Sequence, residues 1–231
     1  MNTDFIILCG GQGSRLRPAI GQSQKVLAEV NHRPFLNLLI QHIKAQGGKR
    51  VILSTGFQAD SVESYYRKNN SGLVIDCVRE DVPLGTGGAV KKASAFIHSE
   101  YFFVLNGDSF CPVDFENHLN FHQGCHAVCT IAVSPVTDNK DYGTITLDPQ
   151  KKILAFEEKI ASSASRYVNA GVYCFQKSIS DFMPKEDRFS IERDFFPKLI
   201  GKAFYGFETD KEFIDIGTPE RLALAKKRFI Q

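Results

Sequence analysis

The segment Cys9-Gly10-Gly11-Gln12-Gly13-Ser14-Arg15-Leu16-Arg17-Pro18 places three glycines and two arginines directly after an apolar run. Glycines let a backbone turn sharply and bring its N–H groups close to a ligand. No acidic residue occurs between Phe5 and Ala28, whereas Arg15, Arg17 and Lys25 all do. Such a turn suits a polyanion, for example a triphosphate. A P-loop would end in Gly-Lys-Ser/Thr, and a dinucleotide fingerprint would have a third glycine where Leu16 stands. Alone, the segment is also compatible with a strand-to-helix turn carrying solvated arginines.

Two carboxylates are candidates for a hard metal ion. Tyr101–Leu105 is apolar and runs into Asn106-Gly107-Asp108. A carboxylate at the tip of a buried parallel strand lies where α/β sheets bind ligands, and Mg²⁺ takes such oxygens together with nucleotide phosphates. A plain Asn-Gly-Asp turn is the alternative. Asp215 stands in Phe213-Ile214-Asp215-Ile216-Gly217-Thr218, where a charge must be paired, metal-bound or turned to solvent.

A second glycine-rich turn, Pro83-Leu84-Gly85-Thr86-Gly87-Gly88-Ala89, follows Glu80 and Asp81. Its glycines would let a base or ribose lie against the backbone. A carboxylate such as Glu80 accepts from guanine N1–H and N2–H₂ together, which uracil and thymine do not offer, so guanine is favoured. His118, His122, Cys125, His126 and Cys129 are close enough for zinc. Buried thiols on a strand, with Cys125, Ala127 and Cys129 on one face, and surface histidines on a helix account for the same spacing.

These residues need a scaffold, and the chain's periodicity supplies one. Asp4–Cys9, Arg50–Ser54, Leu73–Val78 and Tyr101–Leu105 read as strands. Segments near Pro34–Ala45, Ala59–Lys68 and Thr86–Ile97 read as helices between them. Strands apolar throughout are covered on both faces, so the expectation is an α/β fold: a doubly wound, mostly parallel, Rossmann-like sheet with helices on both faces. Beyond residue 125, His126–Val133, Tyr142–Leu147, Ile153–Glu157 and Val168–Phe175 add antiparallel or mixed strands. Helices near Ser190–Leu199 and Pro219–Phe229 follow, the last with Thr218 as N-cap.

The chain has 231 residues, 43% hydrophobic and 23% charged, with a formal net charge of +2. That length suits one domain over 1–231, with a first part of about 1–110 that carries the glycine-rich turns and a second part of about 111–231. The balanced charge argues against a nucleic-acid or membrane-surface binder, and no apolar run approaches the ~18 residues of a span. Met1–Gly10 lacks a basic n-region and carries Asp4, so it reads as a strand rather than a signal peptide. Six scattered cysteines point to reduced thiols and a cytoplasmic protein. There is no hexapeptide array that would mark an appended β-helix.

The ordered segments resemble the sugar-1-phosphate nucleotidyltransferases over nearly the whole chain. That family opens on Gly-Gly-x-Gly-Ser/Thr-Arg-Leu, matched by Gly10–Leu16, and continues to Pro-Lys-Pro, of which Lys25 remains between Gln24 and Val26. Gly85-Thr86-Gly87-Gly88, Asn106-Gly107-Asp108, Glu157-Glu158-Lys159, Asn169-Ala170-Gly171 and Asp215-Ile216-Gly217-Thr218 match further family positions. Within the family, Arg33-Pro34-Phe35-Leu36, Tyr142-Gly143-Thr144 and Phe156-Glu157-Glu158-Lys159 are most similar to the D-glycero-α-D-manno-heptose 1-phosphate guanylyltransferases. The mannose-1-phosphate guanylyltransferases and muramic acid 1-phosphate uridylyltransferases are close alternatives.

The resemblance implies a Mg²⁺-dependent transfer between a nucleoside triphosphate, GTP favoured, and a sugar 1-phosphate, for surface polysaccharide or lipopolysaccharide precursors. Arg15, Lys25 and Asp108 would be catalytic. Gly10, Gly11, Gly13, Glu80, Gly85, Thr86 and Gly88 would bind nucleotide, while Gly143, Glu158, Lys159 and Asn169 would hold the sugar phosphate. Asp108 and Asp215 would hold the metal. A homo-oligomer is compatible with these features. A nucleotide-sensing module without turnover is the non-enzyme alternative.

Overall fold

The structure is a computed structural model, and it describes residues 1–69, 71–135, 142–158 and 167–229, with the side chain of residue 158 outside the description. The apolar run Asp4–Cys9 forms strand β1, buried along nearly its whole length. It lies parallel between β2 (Arg50–Thr55) and β4 (Tyr101–Asn106), and β3 (Val74–Arg79) extends the sheet beyond β2. The chain thus builds outward on one side of β1 and then returns to its other side, which creates a topological switch point between β1 and β4.

The second half completes a nine-stranded sheet. β8 (Tyr167–Gln176) runs antiparallel to β4. It also pairs with β5 (Cys129–Pro135) and β6 (Gly143–Leu147). β7 (Ile153–Glu158) pairs with β6, and β9 (Phe204–Glu208) runs parallel to β5. The strands of the first half are therefore parallel, and the added strands mixed.

Strand alternation builds two cores. Phe5, Ile7 and Cys9 face a core closed by α1 (Leu36–Ala45), α2 (Ala59–Lys68), α4 (Phe115–Gly124) and α5 (Pro219–Arg228). Ile6 faces the other, closed by α3 (Gly85–Ser94) and the segment 191–199. No helix among the described residues is long and apolar enough to cross a membrane. All six cysteines are free thiols.

Three local expectations need correction. Ile191–Phe195 winds as a wide π turn before the short helix Phe196–Leu199. Phe196 N–H donates to Ile191 O five residues back, and Pro197 has no N–H with which to continue an ordinary ladder. His126 is not in a strand: it sits at φ 48° and closes α4, so the strand begins only at Cys129 and Cys125 belongs to the helix end. His118 and His122 are fully buried rather than on the surface; both meet Thr130 Oγ1, at 2.9 and 3.0 Å. Among the described residues, no group of three or more His, Cys, Asp or Glu side chains converges as a metal-ligand set.

Candidate active site

A cleft of about 600 Å³ opens over the C-terminal ends of β1 and β4, at the switch point. Gly10, Gly11, Lys25, Glu80, Gly85, Thr86 and Asp108 all line it, alongside Gln12, Gln24, Asn106 and Glu192. Gly10, Glu80 and Asp108, far apart in sequence, are gathered by the parallel strands, whose tips all face one way.

The first glycine turn is held from beneath. Gly56 follows β2 and packs against Gly10, whose carbonyl accepts from Phe57 N–H at 3.2 Å. Gly13 takes φ 58° and abuts the Lys25 side chain, where a Cβ would stand 3.0 Å from Lys25 Cβ. Gln24, buried, donates through Nε2 to the carbonyls of Cys9 and Gly11 and accepts from Val26 N–H at 2.8 Å. This residue stands where the family pattern has its first proline. Three hydrogen bonds to Gln24 here do the stiffening that a ring would do.

Lys25, only 11% exposed at its side chain, is ion-paired to Asp108 Oδ2; Asp108 is 41% exposed at the cleft mouth. Gly107 lets this turn lean over β1, because a Cβ there would overlap Leu8 O. Asp108 O accepts from Ile216 N–H at 2.9 Å, and Asp215 lies opposite Ser109 in a two-strand ladder. The two candidate metal-binding aspartates therefore sit on adjoining backbone segments. Arg15 is exposed and lies outside the cleft wall, but Nη2 comes within 3.7 Å of the position a Cβ on Gly217 would take.

The second glycine turn differs from expectation. Gly85 has φ 73°, and a Cβ on it would stand 2.6 Å from Phe189 O; a Cβ on Gly87 would overlap the Phe189 ring. Gly88 is buried away from the cleft, and a Cβ on it would overlap Asp187 O. Its placement is therefore structural, not against a base. Thr86 does reach the cleft: its hydroxyl donates to Glu192 Oε2 at 2.7 Å and accepts from Ile191 N–H at 2.9 Å.

Glu80 lines the cleft with Oε2 accepting from Leu84 N–H at 2.9 Å, and burial raises its pKa. That bond fixes one carboxylate oxygen toward the backbone and leaves lone pairs on both oxygens.

Among the residues expected to hold a sugar phosphate, Gly143 pairs with Glu158 across β6 and β7. Lys159 and the Glu158 side chain lie outside the described residues. Asn169 sits at a bulge of β8, donating to Tyr173 OH at 2.9 Å and accepting from Gly171 N–H at 2.9 Å. Asn106 donates to the same hydroxyl at 3.2 Å, so Tyr173 joins the Asn169 bulge to the Asp108 turn. Tyr173 reads from sequence as core, and Glu192 reads as an acid in the first turn of a helix. Neither carries a signal of its own.

The chain matches the nucleotidyl transferase family over residues 5–231. It is 37% identical to D-glycero-alpha-D-manno-heptose 1-phosphate guanylyltransferase of Aneurinibacillus thermoaerophilus, covering 97% of each chain. It is 35% identical to the protein of the same name from Campylobacter jejuni, covering 93% of this chain and 95% of that one. The solved structure of HddC from Yersinia pseudotuberculosis complexed with GMP-PN superposes with TM-score 0.87 at 33% identity, over 98% of this chain and 99% of that one. With a glycine turn, a lysine–aspartate pair and a sheet switch point in the family's order, this chain belongs to the nucleotidyl transferase family.

Proposed function

We propose that this protein joins D-glycero-α-D-manno-heptose 1-phosphate to GTP, releasing pyrophosphate. The observation that carries the reading is the cleft itself, in which Gly10, Gly11, Lys25 and Asp108 converge at the switch point. The heptose and guanine assignments lean on the named relatives.

The nucleophile, a phosphate oxygen of the sugar 1-phosphate, is already an anion, so the attack on the α-phosphorus needs no general base. The difficulty is holding two polyanions in line. Backbone N–H groups of Gly10 and Gly11 would take the nucleotide phosphates, and Lys25 and Arg15 would offset their charge. Lys159 and Asn169 would orient the sugar phosphate.

The family generally uses a divalent metal. Asp108 and Asp215 supply hard oxygens on adjoining segments, a donor set that fits Mg²⁺, and these two would hold it. When bound, such an ion neutralises charge developing on the phosphoryl oxygens. The guanine base would lie along the Glu80–Thr86 wall.

Pyrophosphate release from each common triphosphate, against a panel of sugar 1-phosphates, tests the reading. GTP with the heptose phosphate is expected to be the best pair. Preference for mannose 1-phosphate, or for UTP with muramic acid 1-phosphate, would replace the substrate assignment. Binding without turnover of any pair would make the protein a sensor instead.

A further inference from the structure

Asp215 is more completely occupied than a waiting metal ligand would be. Its Oδ1 accepts from Gly217 N–H at 2.7 Å and from Arg221 Nη1 at 3.2 Å. Its Oδ2 accepts from Tyr142 OH at 2.8 Å and lies 3.2 Å from Arg221 Nη1. A carboxylate offers about four lone-pair positions; three hydrogen bonds occupy three of them, and Arg221 Nη1 also stands beside the oxygen that carries the fourth. A cation seated on Asp215 has to share the carboxylate with these donors. Of the three, only Arg221 is charged, and it alone repels the incoming ion.

Arg221 is partly exposed and stands beside a second guanidinium. It comes from the first turns of α5, at a site 21% exposed, with its guanidinium 4.6 Å over the Tyr142 ring. Arg15 shares the same turn: a Cβ on Gly217 would lie 3.7 Å from Arg15 Nη2 and 3.8 Å from Arg221 Nη1. Two guanidinium groups beside one glycine make a ready site for a phosphate anion. Such an anion gives Arg221 an alternative partner at the moment Asp215 is needed elsewhere.

We propose that Arg221 is a positioning residue that competes with the divalent cation for Asp215, releasing the carboxylate when substrate phosphate draws the guanidinium away. This rests on the reading of Asp108 and Asp215 as metal ligands. On this view the empty cleft resists metal, and metal and phosphate load together.

The test is metal binding without turnover. Mn²⁺ is titrated into the full-length protein, free of nucleotide, and unbound Mn²⁺ is read by electron paramagnetic resonance. Arg221→Met is expected to bind Mn²⁺ about tenfold tighter than wild type, because one nearby positive charge is gone. Arg221→Lys, which keeps the charge, is expected to stay within about twofold. If Arg221→Met folds poorly, Arg221→Gln serves as the neutral variant. Equal affinities for wild type and the neutral variant, including binding to neither, overturn the proposal. If the neutral variant changes nothing while Asp215→Asn loses binding, only the role of Arg221 falls. If Asp215→Asn and Asp108→Asn both bind as wild type does, the metal-ligand reading falls with it.

Discussion

The two glycine-rich turns, Gly10–Gly13 and Gly85–Gly88, look alike as strings and answer to different neighbours. At the first, a methyl on Gly11 would meet nothing within 4 Å, and the turn faces the cleft. At the second, the 187–189 segment fills the space: Phe189 closes on Gly85 and Gly87, and Asp187 on Gly88. Lys91 pins that segment down by donating to the carbonyls of Pro184, Lys185 and Glu186 at 2.9–3.2 Å. In the first turn Gly11 leaves room for ligand while Gly10 and Gly13 meet Glu80 and Lys25; in the second, all three glycines leave room for protein. Composition and spacing do not separate the two cases, because a missing side chain records only that something comes close.

The largest effect belongs to the ligand-facing turn's partner. Asp108→Asn is expected to lower turnover on the order of 10³-fold, about 4 kcal/mol of barrier, with little change in stability, since Asp108 is 41% exposed. Pyrophosphate release at saturating Mg²⁺ measures it. A wild-type rate in that variant would remove the chemistry from this end of the cleft.

The comparison itself is broken or kept by paired glycine variants. Gly88→Ala is expected to cost about 2–3 kcal/mol of stability, because the new methyl overlaps a backbone carbonyl. Gly11→Ala is expected to leave the melting curve within about 0.5 kcal/mol while raising KM for GTP about tenfold. Chemical denaturation and initial rates read the two quantities separately. If Gly11→Ala destabilised and Gly88→Ala did not, the division of labour drawn here would be reversed. Gln24→Ala sharpens the contrast from below: it strands the buried Cys9 carbonyl and Val26 N–H, at about 1–2 kcal/mol. Its catalytic loss should exceed that stability loss, because the same three bonds hold the turn in place for phosphate.

What was legible in the sequence follows from the same distinction. β1 and α2 are found at Asp4–Cys9 and Ala59–Lys68 as expected, because long apolar runs and a clean helical stripe determine their own fate. The gathering of Lys25, Asp108 and Gly10 was legible too, since parallel strands deliver their tips to one edge. Gln24 was not, because a glutamine stiffens a loop only through partners that are distant in contact terms, at Cys9 and Gly11. Arg221 reads as one more charge on a solvated helix until Asp215 is seen beside it. His118 and His122 sit at i and i+4, a spacing that suits metal or surface; distant strands cover them, Phe207 stacking at 4.5 Å on His118 and Tyr101 meeting His122 edge-on.

Those histidines give the smallest and most separable effect, since they lie in the fold and not in either turn. Burial depresses both: His118 falls well below its ordinary 6.5, further lowered by His122, and His122 falls to about 4. Each has one ring nitrogen, His118 Nδ1 and His122 Nε2, buried without a hydrogen-bond partner, so a proton gained in the folded state finds nothing to receive it. The sign follows from linkage. Below the unfolded value near 6.5 the unfolded chain binds protons that the folded chain refuses, so stability is complete above that pH and is lost as the pH falls toward 4. Between pH 7.5 and 6 the pair should cost about 1.5 kcal/mol, half of it from each histidine and growing at lower pH. Replacing His122 by Phe should flatten part of this slope in urea titrations at each pH, while the KM for GTP at pH 7.5 stays as it is. An unchanged slope would mean that the histidines are not buried neutral, whereas a shifted KM would tie this distant pair to the cleft and undo the separation between fold and ligand drawn from the two turns.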